Sequence, residues 1–174
     1  MFGRKHQEEA PPAVTSMFQM RQKMLSIGDD YWIENGVGQK AFHVNGKLLR
    51  LRKTFVLEDA SGHELLRIHS KILRVRDTFV IDRGEERAAT LHKSLIGFRD
   101  RFAIDLGDAG ELHAHGDILE HEYSISRDGT DIAQINKHWM RVRDTYGVSI
   151  VQGEDVPLLL AIVICIDTIS HEHR

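Results

Sequence analysis

One uninterrupted apolar run near the C-terminus limits what this chain can fold into more than any other feature. The run, Val156–Ile166, contains eleven residues and lies between Asp155 and Asp167. Pro157 is tolerated in a first helical turn, where Asp155 can accept hydrogen bonds from the free N–H groups. A helix that is apolar all round is buried, and this one is shorter than the ~20 residues that cross a bilayer. The sequence therefore predicts a buried helix around which the rest of the chain is built.

A short motif of basic residues followed by an aromatic residue recurs along the rest of the chain. The clear copies are Arg50–Leu57, Arg74–Ile81, Phe98–Ile104 and Arg141–Tyr146, and two weaker copies are Gly28–Ile33 and Glu120–Ile125. Each copy contributes one aromatic anchor, and successive anchors are separated by 24, 24, 23, 21 and 23 residues: Tyr31, Phe55, Phe79, Phe102, Tyr123 and Tyr146. Repeats of a fixed length indicate that one structural unit is built several times.

The segments between anchors predict antiparallel strands. After each anchor, alternating residues lead to a glycine-bearing turn of the kind that closes hairpins. These turns are Asn35-Gly36, Ser61-Gly62, Arg83-Gly84, Gly107 with Gly110, Asp128-Gly129 and Gln152-Gly153. A second arm then returns to the next charged turn, near residues 17–24, 41–49, 64–73, 87–95, 111–119 and 131–140.

About twelve strands follow from this count, with the charged turns at one end (the charged-turn end) and the glycine turns at the other (the glycine-turn end). A closed sheet of that size has a bore too wide for side chains alone to fill. The prediction is therefore a mainly β fold, a closed antiparallel barrel around the hydrophobic C-terminal helix. The alternative of propeller blades fits poorly, because a blade needs about 40 residues.

Composition fits one domain in a reducing compartment. The chain has 174 residues, 41% of them hydrophobic, one cysteine and a net charge of −3. We expect a flexible leader over residues 1–15, a single domain over 16–170 and a polar tail over 171–174. The leader lacks the apolar core of a signal peptide, which predicts a cytoplasmic protein that could lie peripherally at a membrane. The net charge gives no reason to expect nucleic-acid binding, and the sequence has no nucleotide-binding glycine motif or other cofactor signature.

Two segments resemble a known family. Arg21–Ile33 is similar to the opening of bacterial LURP-one-related proteins, and Leu158–Asp167 resembles their closing helix. The resemblance extends over nearly the whole chain from Ser16 to Ile169. It implies the fold of the tubby C-terminal domain and the phospholipid scramblases, a twelve-stranded barrel threaded by a hydrophobic helix. Tubby domains bind phosphoinositides and scramblases act at bilayers, but the resemblance supplies no catalytic residues.

Basic residues are concentrated in the charged turns. Residues 16–100 contain 15 Lys and Arg against 11 Asp and Glu, whereas residues 101–174 contain 6 against 13, which predicts a dipolar surface. The meander brings together a basic rim: Arg50, Arg52, Lys53, Arg74, Arg76, Arg99, Arg101, Arg141 and Arg143. Arginine suits bidentate contact with phosphate, so the rim is a candidate site for anionic headgroups or phosphate-bearing ligands. In the alternative interpretation, these arginines pair with Asp77, Asp100 and Asp144.

Metal binding and catalysis have weaker support. His113 and His115 would share one face of a strand, but a metal site needs three or four convergent ligands. Cys165 lies within the apolar run, where a thiol packs as an inert hydrophobe. No nucleophile elbow is present. We therefore expect a non-catalytic protein with no metal and no cofactor.

Three functions stay open from the sequence. The first is a binding module for an anionic phospholipid or a phosphate ligand. The second is a membrane-active, scramblase-like protein that uses the C-terminal helix in the bilayer. The third is a scaffold whose dipolar surface meets a protein partner.

Overall fold

The computed structural model describes residues 13–21, 30–49, 52–72, 77–94, 101–141 and 143–172. These residues form twelve strands, two short 3-10 turns and one helix. The strands are β1 (Thr15–Arg21), β2 (Tyr31–Asn35), β3 (Lys40–Leu49), β4 (Arg52–Asp59), β5 (Glu64–Ile72), β6 (Asp77–Arg83), β7 (Glu86–Ser94), β8 (Arg101–Asp105), β9 (Glu111–Asp117), β10 (Glu122–Arg127), β11 (Thr130–Asn136) and β12 (Thr145–Val151). The 3-10 turns are Gly107–Ala109 and Lys137–Trp139, and the helix, α1, is Val156–Glu172.

Every strand pairs antiparallel with its neighbours in sequence, and the first strand pairs with the last. Seven residue pairs join β1 to β12, from Thr15↔Val151 to Arg21↔Thr145, and they close the barrel. The prediction of a twelve-stranded closed meander is confirmed. Each aromatic anchor lies on an even-numbered strand just after the charged turn, with its side chain buried.

The helix enters the bore at the glycine-turn end. The Asp155 carboxylate accepts a hydrogen bond from the Leu158 amide at 3.2 Å, as expected for an N-terminal cap, and Arg83 binds the same carboxylate at 2.7 Å. Every side chain from Leu158 to Ser170 is buried, so the helix is the centre of the hydrophobic core. Within the described part of the chain, no helix is long and apolar enough to cross a membrane.

Regularly placed bulges curve the wall. The register shifts after Ile33, Leu57, Ile81 and Ile125, in each case two residues beyond the anchor of that strand. A bulge bends a strand and increases its twist, which helps a sheet to close. Four of the six copies of the repeat therefore contribute a bulge that helps to curve the wall.

The glycine turns have the expected geometry with one difference. Gly62, Gly84, Gly107, Gly110, Gly129 and Gly153 have positive φ angles, as the tight turns require. In the first hairpin the positive φ belongs to Gly38 and not to Gly36. The Asn35 side chain explains this shift, because its Oδ1 accepts hydrogen bonds from the amides of Val37 and Gln39 and lengthens the turn.

Candidate functional site

Three members of the predicted basic rim have described side chains. Arg101 begins β8, and Arg141 and Arg143 lie between β11 and β12, so all three are at the charged-turn end and exposed. Among the described carboxylates, only that of Asp144 approaches one of them, at 3.8 Å from Nε of Arg143, whose side chain is 95% exposed. This is the one described contact in favour of the pairing alternative. Arg50, Arg74, Arg76, Arg99 and Asp100 lie outside the described residues, as do the side chains of Arg52, Lys53 and Asp77.

The opposite end of the barrel is acidic. The described carboxylates toward the glycine turns are Glu34, Glu58, Asp59, Glu64, Asp82, Glu85, Glu86, Asp105, Asp108, Glu111, Asp128, Asp131, Glu154 and Asp155. They outnumber the described cations there, which are Lys40, Arg67, Arg83, Arg87 and Arg127. The four arginines among these cations are each bound to a carboxylate at 2.7 to 2.9 Å. At the charged-turn end the balance is reversed. The described carboxylates there are Asp30, Asp117, Glu120, Glu122 and Asp144, and they are outnumbered by the described cations, which are Arg21, Lys71, Lys93, Arg101, Lys137, Arg141 and Arg143. Charge is therefore separated along the barrel axis.

A buried polar cluster lies inside the bore toward the same end. Asp167 is on the last part of the helix and is 2% exposed. The Tyr146 hydroxyl donates a hydrogen bond to Oδ2 of Asp167, and Nε2 of His121 lies 3.1 Å from Oδ1. The His121 ring stacks on Tyr146, with centroids 4.5 Å apart, and its φ of 53° directs the backbone of the β9–β10 turn. Two polar side chains of the barrel wall therefore contact the Asp167 carboxylate, which solvent does not reach.

The six anchors divide into two arcs around the helix. Phe55, Phe79 and Phe102 lie on β4, β6 and β8, on one side of the barrel. Tyr31, Tyr123 and Tyr146 lie on β2, β10 and β12, on the other side. The negative charge of Asp167 acts on the pKa of each of these tyrosines. The helix therefore places the buried carboxylate of Asp167 among all three tyrosines of the chain.

The pKa values of the tyrosines reflect this environment. Burial, and then the negative charge of Asp167, raises the pKa of each phenol well above its ordinary value of 10.0. Because the folded state holds these protons more tightly than the unfolded state, the contribution of the three phenols to the free energy of unfolding is constant below about pH 10 and falls above it.

An alkaline titration followed by ultraviolet absorbance tests the buried cluster. We expect no tyrosinate signal while the protein is folded, followed by the appearance of all three tyrosinates together with the loss of circular dichroism. Protein unfolded in guanidinium is the control and should titrate near the ordinary pKa. A tyrosinate that forms near pH 10 in folded protein would show that one of the three phenols is accessible.

Of the side chains considered for metal binding and catalysis, the two histidines lie apart from this cluster, whereas Cys165 is buried beside it on the helix. Nε2 of His113 is 3.0 Å from Glu111, and Nε2 of His115 is 3.8 Å from Asp131, both on the outer wall. Across the described ranges, no three or more His, Cys, Asp or Glu side chains are grouped closely enough to hold a metal ion. The thiol of Cys165 is fully buried, and burial raises its pKa.

Comparison with known proteins places this barrel in a family. Residues 16–167 match the family model described as LURP-one-related. The chain belongs to the LURP-one-related family. An X-ray structure of a protein from Arabidopsis thaliana has the same fold, with a TM-score of 0.65, 16% sequence identity, and coverage of 90% of this chain and 93% of that chain. No curated protein matches the sequence.

Family and fold together describe this LURP-one-related chain as a tubby-like barrel, an architecture that is typically non-catalytic. The sequence predicts the rim, of which three members have described side chains, but it did not identify Asp167 and His121 as partners. Two sequence signals point to Asp167 and the tyrosines: an aspartate directly after the apolar run, and tyrosine in place of phenylalanine at three of the six anchors. No comparable signal points to His121.

Proposed function

We propose that this LURP-one-related protein is a non-catalytic cytoplasmic binding module whose charged-turn end binds anionic, phosphate-bearing ligands. The observation that supports it best is the separation of charge along the barrel axis. Exposed Arg101, Arg141 and Arg143 lie at one end, whereas the described arginines of the other end are bound to carboxylates. A surface of one sign attracts ligands of the opposite sign and orients their approach.

Arginine chemistry supports phosphate over a general anion. A guanidinium group is planar, always charged and able to donate two parallel hydrogen bonds to phosphate oxygens. The described rim residues lie near the starts of two different strands, since Arg101 begins β8 whereas Arg141 and Arg143 precede β12. Their spread suits a surface that holds a ligand from several sides.

Charge reversal tests the proposal. We expect the triple variant Arg101→Glu, Arg141→Glu and Arg143→Glu to bind anionic vesicles about a hundredfold more weakly, at ~1 kcal/mol for each basic residue near an anionic surface. Binding of the unaltered protein should weaken as salt is added, because exposed charges are screened. Flotation of protein with phosphatidylcholine vesicles, with and without phosphatidylserine, gives the measurement.

A matched control reverses the same number of charges elsewhere. Lys40→Glu, Arg67→Glu and Arg87→Glu change the net charge equally but lie on the outer wall toward the glycine-turn end. Their surface contacts are each worth little, so the fold should survive. Equal loss of binding in both triple variants would mean that net charge, and not the rim, controls binding. Absence of binding to anionic vesicles and to inorganic phosphate would contradict the proposal.

A further inference from the structure

Two exposed hydrophobic side chains lie at the basic end of the barrel. Leu119, in the β9–β10 turn, is 46% exposed, and Trp139, in the β11–β12 connection, is 40% exposed. The other large exposed hydrophobic residues of the described chain, Val14 and Val37, belong to the glycine-turn end. The charged-turn end therefore combines exposed apolar groups with exposed cations.

Polar contacts join the two connections that carry these groups. The Lys137 ammonium binds the carboxylate of Glu120, next to Leu119. Nε2 of His138, next to Trp139, lies 2.7 Å from Oε1 of Glu122. The pairing with Lys137 lowers the repulsion between Glu120 and an anionic surface, and Glu122 contacts an imidazole. The third carboxylate of this region, Asp117, accepts a hydrogen bond from the Glu120 amide at 3.1 Å.

The wall of the barrel fixes the position of Trp139. A Cβ atom at Gly147 on β12 would lie only 3.1 Å from Cε3 of Trp139 and 2.9 Å from Cε of Met140, so the absence of a side chain at Gly147 makes room for both residues. Oδ1 of Asn136 accepts a hydrogen bond from the His138 amide at 2.8 Å and holds the short 3-10 turn. One side of the indole packs on the wall while the rest faces solvent.

We infer that Trp139 and Leu119 insert into the interfacial layer of an anionic membrane, with Arg141 and Arg143 beside them against the headgroups. Tryptophan favours the boundary between headgroups and acyl chains, and basic residues add attraction to anionic lipid. A free phosphate ligand would use the cations but would leave the indole and the leucine in water. The inference rests on the proposed function and specifies its ligand as a lipid surface.

The chain offers a direct reporter because it contains only two tryptophans. Trp32 lies on β2, where it contacts His43 and Lys40. The Trp32→Phe variant leaves Trp139 as the single indole. On mixing with phosphatidylcholine–phosphatidylserine vesicles, we expect its emission to move to shorter wavelength and its quenching by acrylamide to fall. Neither change should occur with pure phosphatidylcholine vesicles or with inorganic phosphate.

Substitutions give an independent measurement. Trp139→Ala and Leu119→Ala should each weaken vesicle binding about tenfold, the value for loss of one partly buried apolar side chain. Val37→Ala, which removes an exposed apolar group at the other end, is the matched control and should leave binding unchanged. The fluorescence experiment keeps the native Trp139, so its result does not depend on how well these variants fold.

The outcomes separate the inference from the proposed function. Vesicle binding with unchanged Trp139 fluorescence would overturn the insertion and leave the rim proposal standing. Equal affinity for vesicles and for inorganic phosphate would likewise overturn the inference. If the protein bound neither anionic vesicles nor inorganic phosphate, both the membrane insertion and the proposed function would be overturned. Vesicle binding lost in Val37→Ala as much as in Trp139→Ala would contradict insertion at the charged-turn end.

Discussion

Deletion of residues 155–174 is expected to leave a chain that cannot form the native barrel. The helix supplies the buried side chains from Leu158 to Ser170, which fill the bore. Loss of one large core side chain costs about 2–5 kcal/mol, and a whole domain is stable by only about 5–15 kcal/mol. The truncated protein should be insoluble, or soluble without a cooperative unfolding transition and with strong binding of a hydrophobic dye.

Two substitutions at one buried position of the helix test how much the helix contributes to stability. Ile162 is fully buried, so Ile162→Asp should unfold the protein, whereas Ile162→Val should cost about 0.5–1.5 kcal/mol and preserve the transition. Urea denaturation followed by circular dichroism measures both. A soluble truncated chain that unfolds cooperatively would show that the wall is stable without its helix.

Replacement of Asp167 by alanine is the second change with a large expected effect. The substitution leaves the Tyr146 hydroxyl and the His121 ring buried without their carboxylate, and loss of one member of a buried charged contact costs about 3–5 kcal/mol. Asp167→Asn keeps an oxygen that can accept the bond from Tyr146 and should cost less. Denaturant unfolding at neutral pH gives the two free energies.

The adjacent residue provides a matched control. Thr168 is fully buried on the same helix, and its hydroxyl donates only to the Ile164 carbonyl, at 2.8 Å. Thr168→Val keeps the shape and removes a bond within the helix, so we expect a loss of about 1 kcal/mol. If Asp167→Ala were no more destabilising than Thr168→Val, the polar cluster would contribute little to the stability of the fold.

The number and order of the strands could be predicted because the repeat records them directly. Each anchor marks one buried position after a charged turn, and each glycine pair marks a hairpin. The uninterrupted apolar run predicted the helix, and its place inside the barrel followed because the bore of twelve strands is too wide for wall side chains alone to fill. These features are local in sequence, so they need no knowledge of which strands meet.

The polar cluster could not be predicted in this way because it depends on closure. Tyr31 and Tyr146 are far apart in sequence and lie on strands separated only by β1, a relation that exists only when β1 pairs with β12. Asp167 marked the end of the apolar run in the sequence, yet the helix continues to Glu172. The bulges were likewise missed, because a register shift is a property of two strands and not of one.

The position of the helix after all twelve strands has a consequence for biosynthesis. A ribosome makes protein from the N-terminus, at about 5–20 residues per second, so all twelve strands are synthesised before the segment that covers their inner faces. β1 also cannot form its pairing with β12, which closes the barrel, until β12 has been synthesised. Until the helix has been synthesised, the nascent chain exposes apolar surface that has no internal partner, and such surface is prone to aggregation.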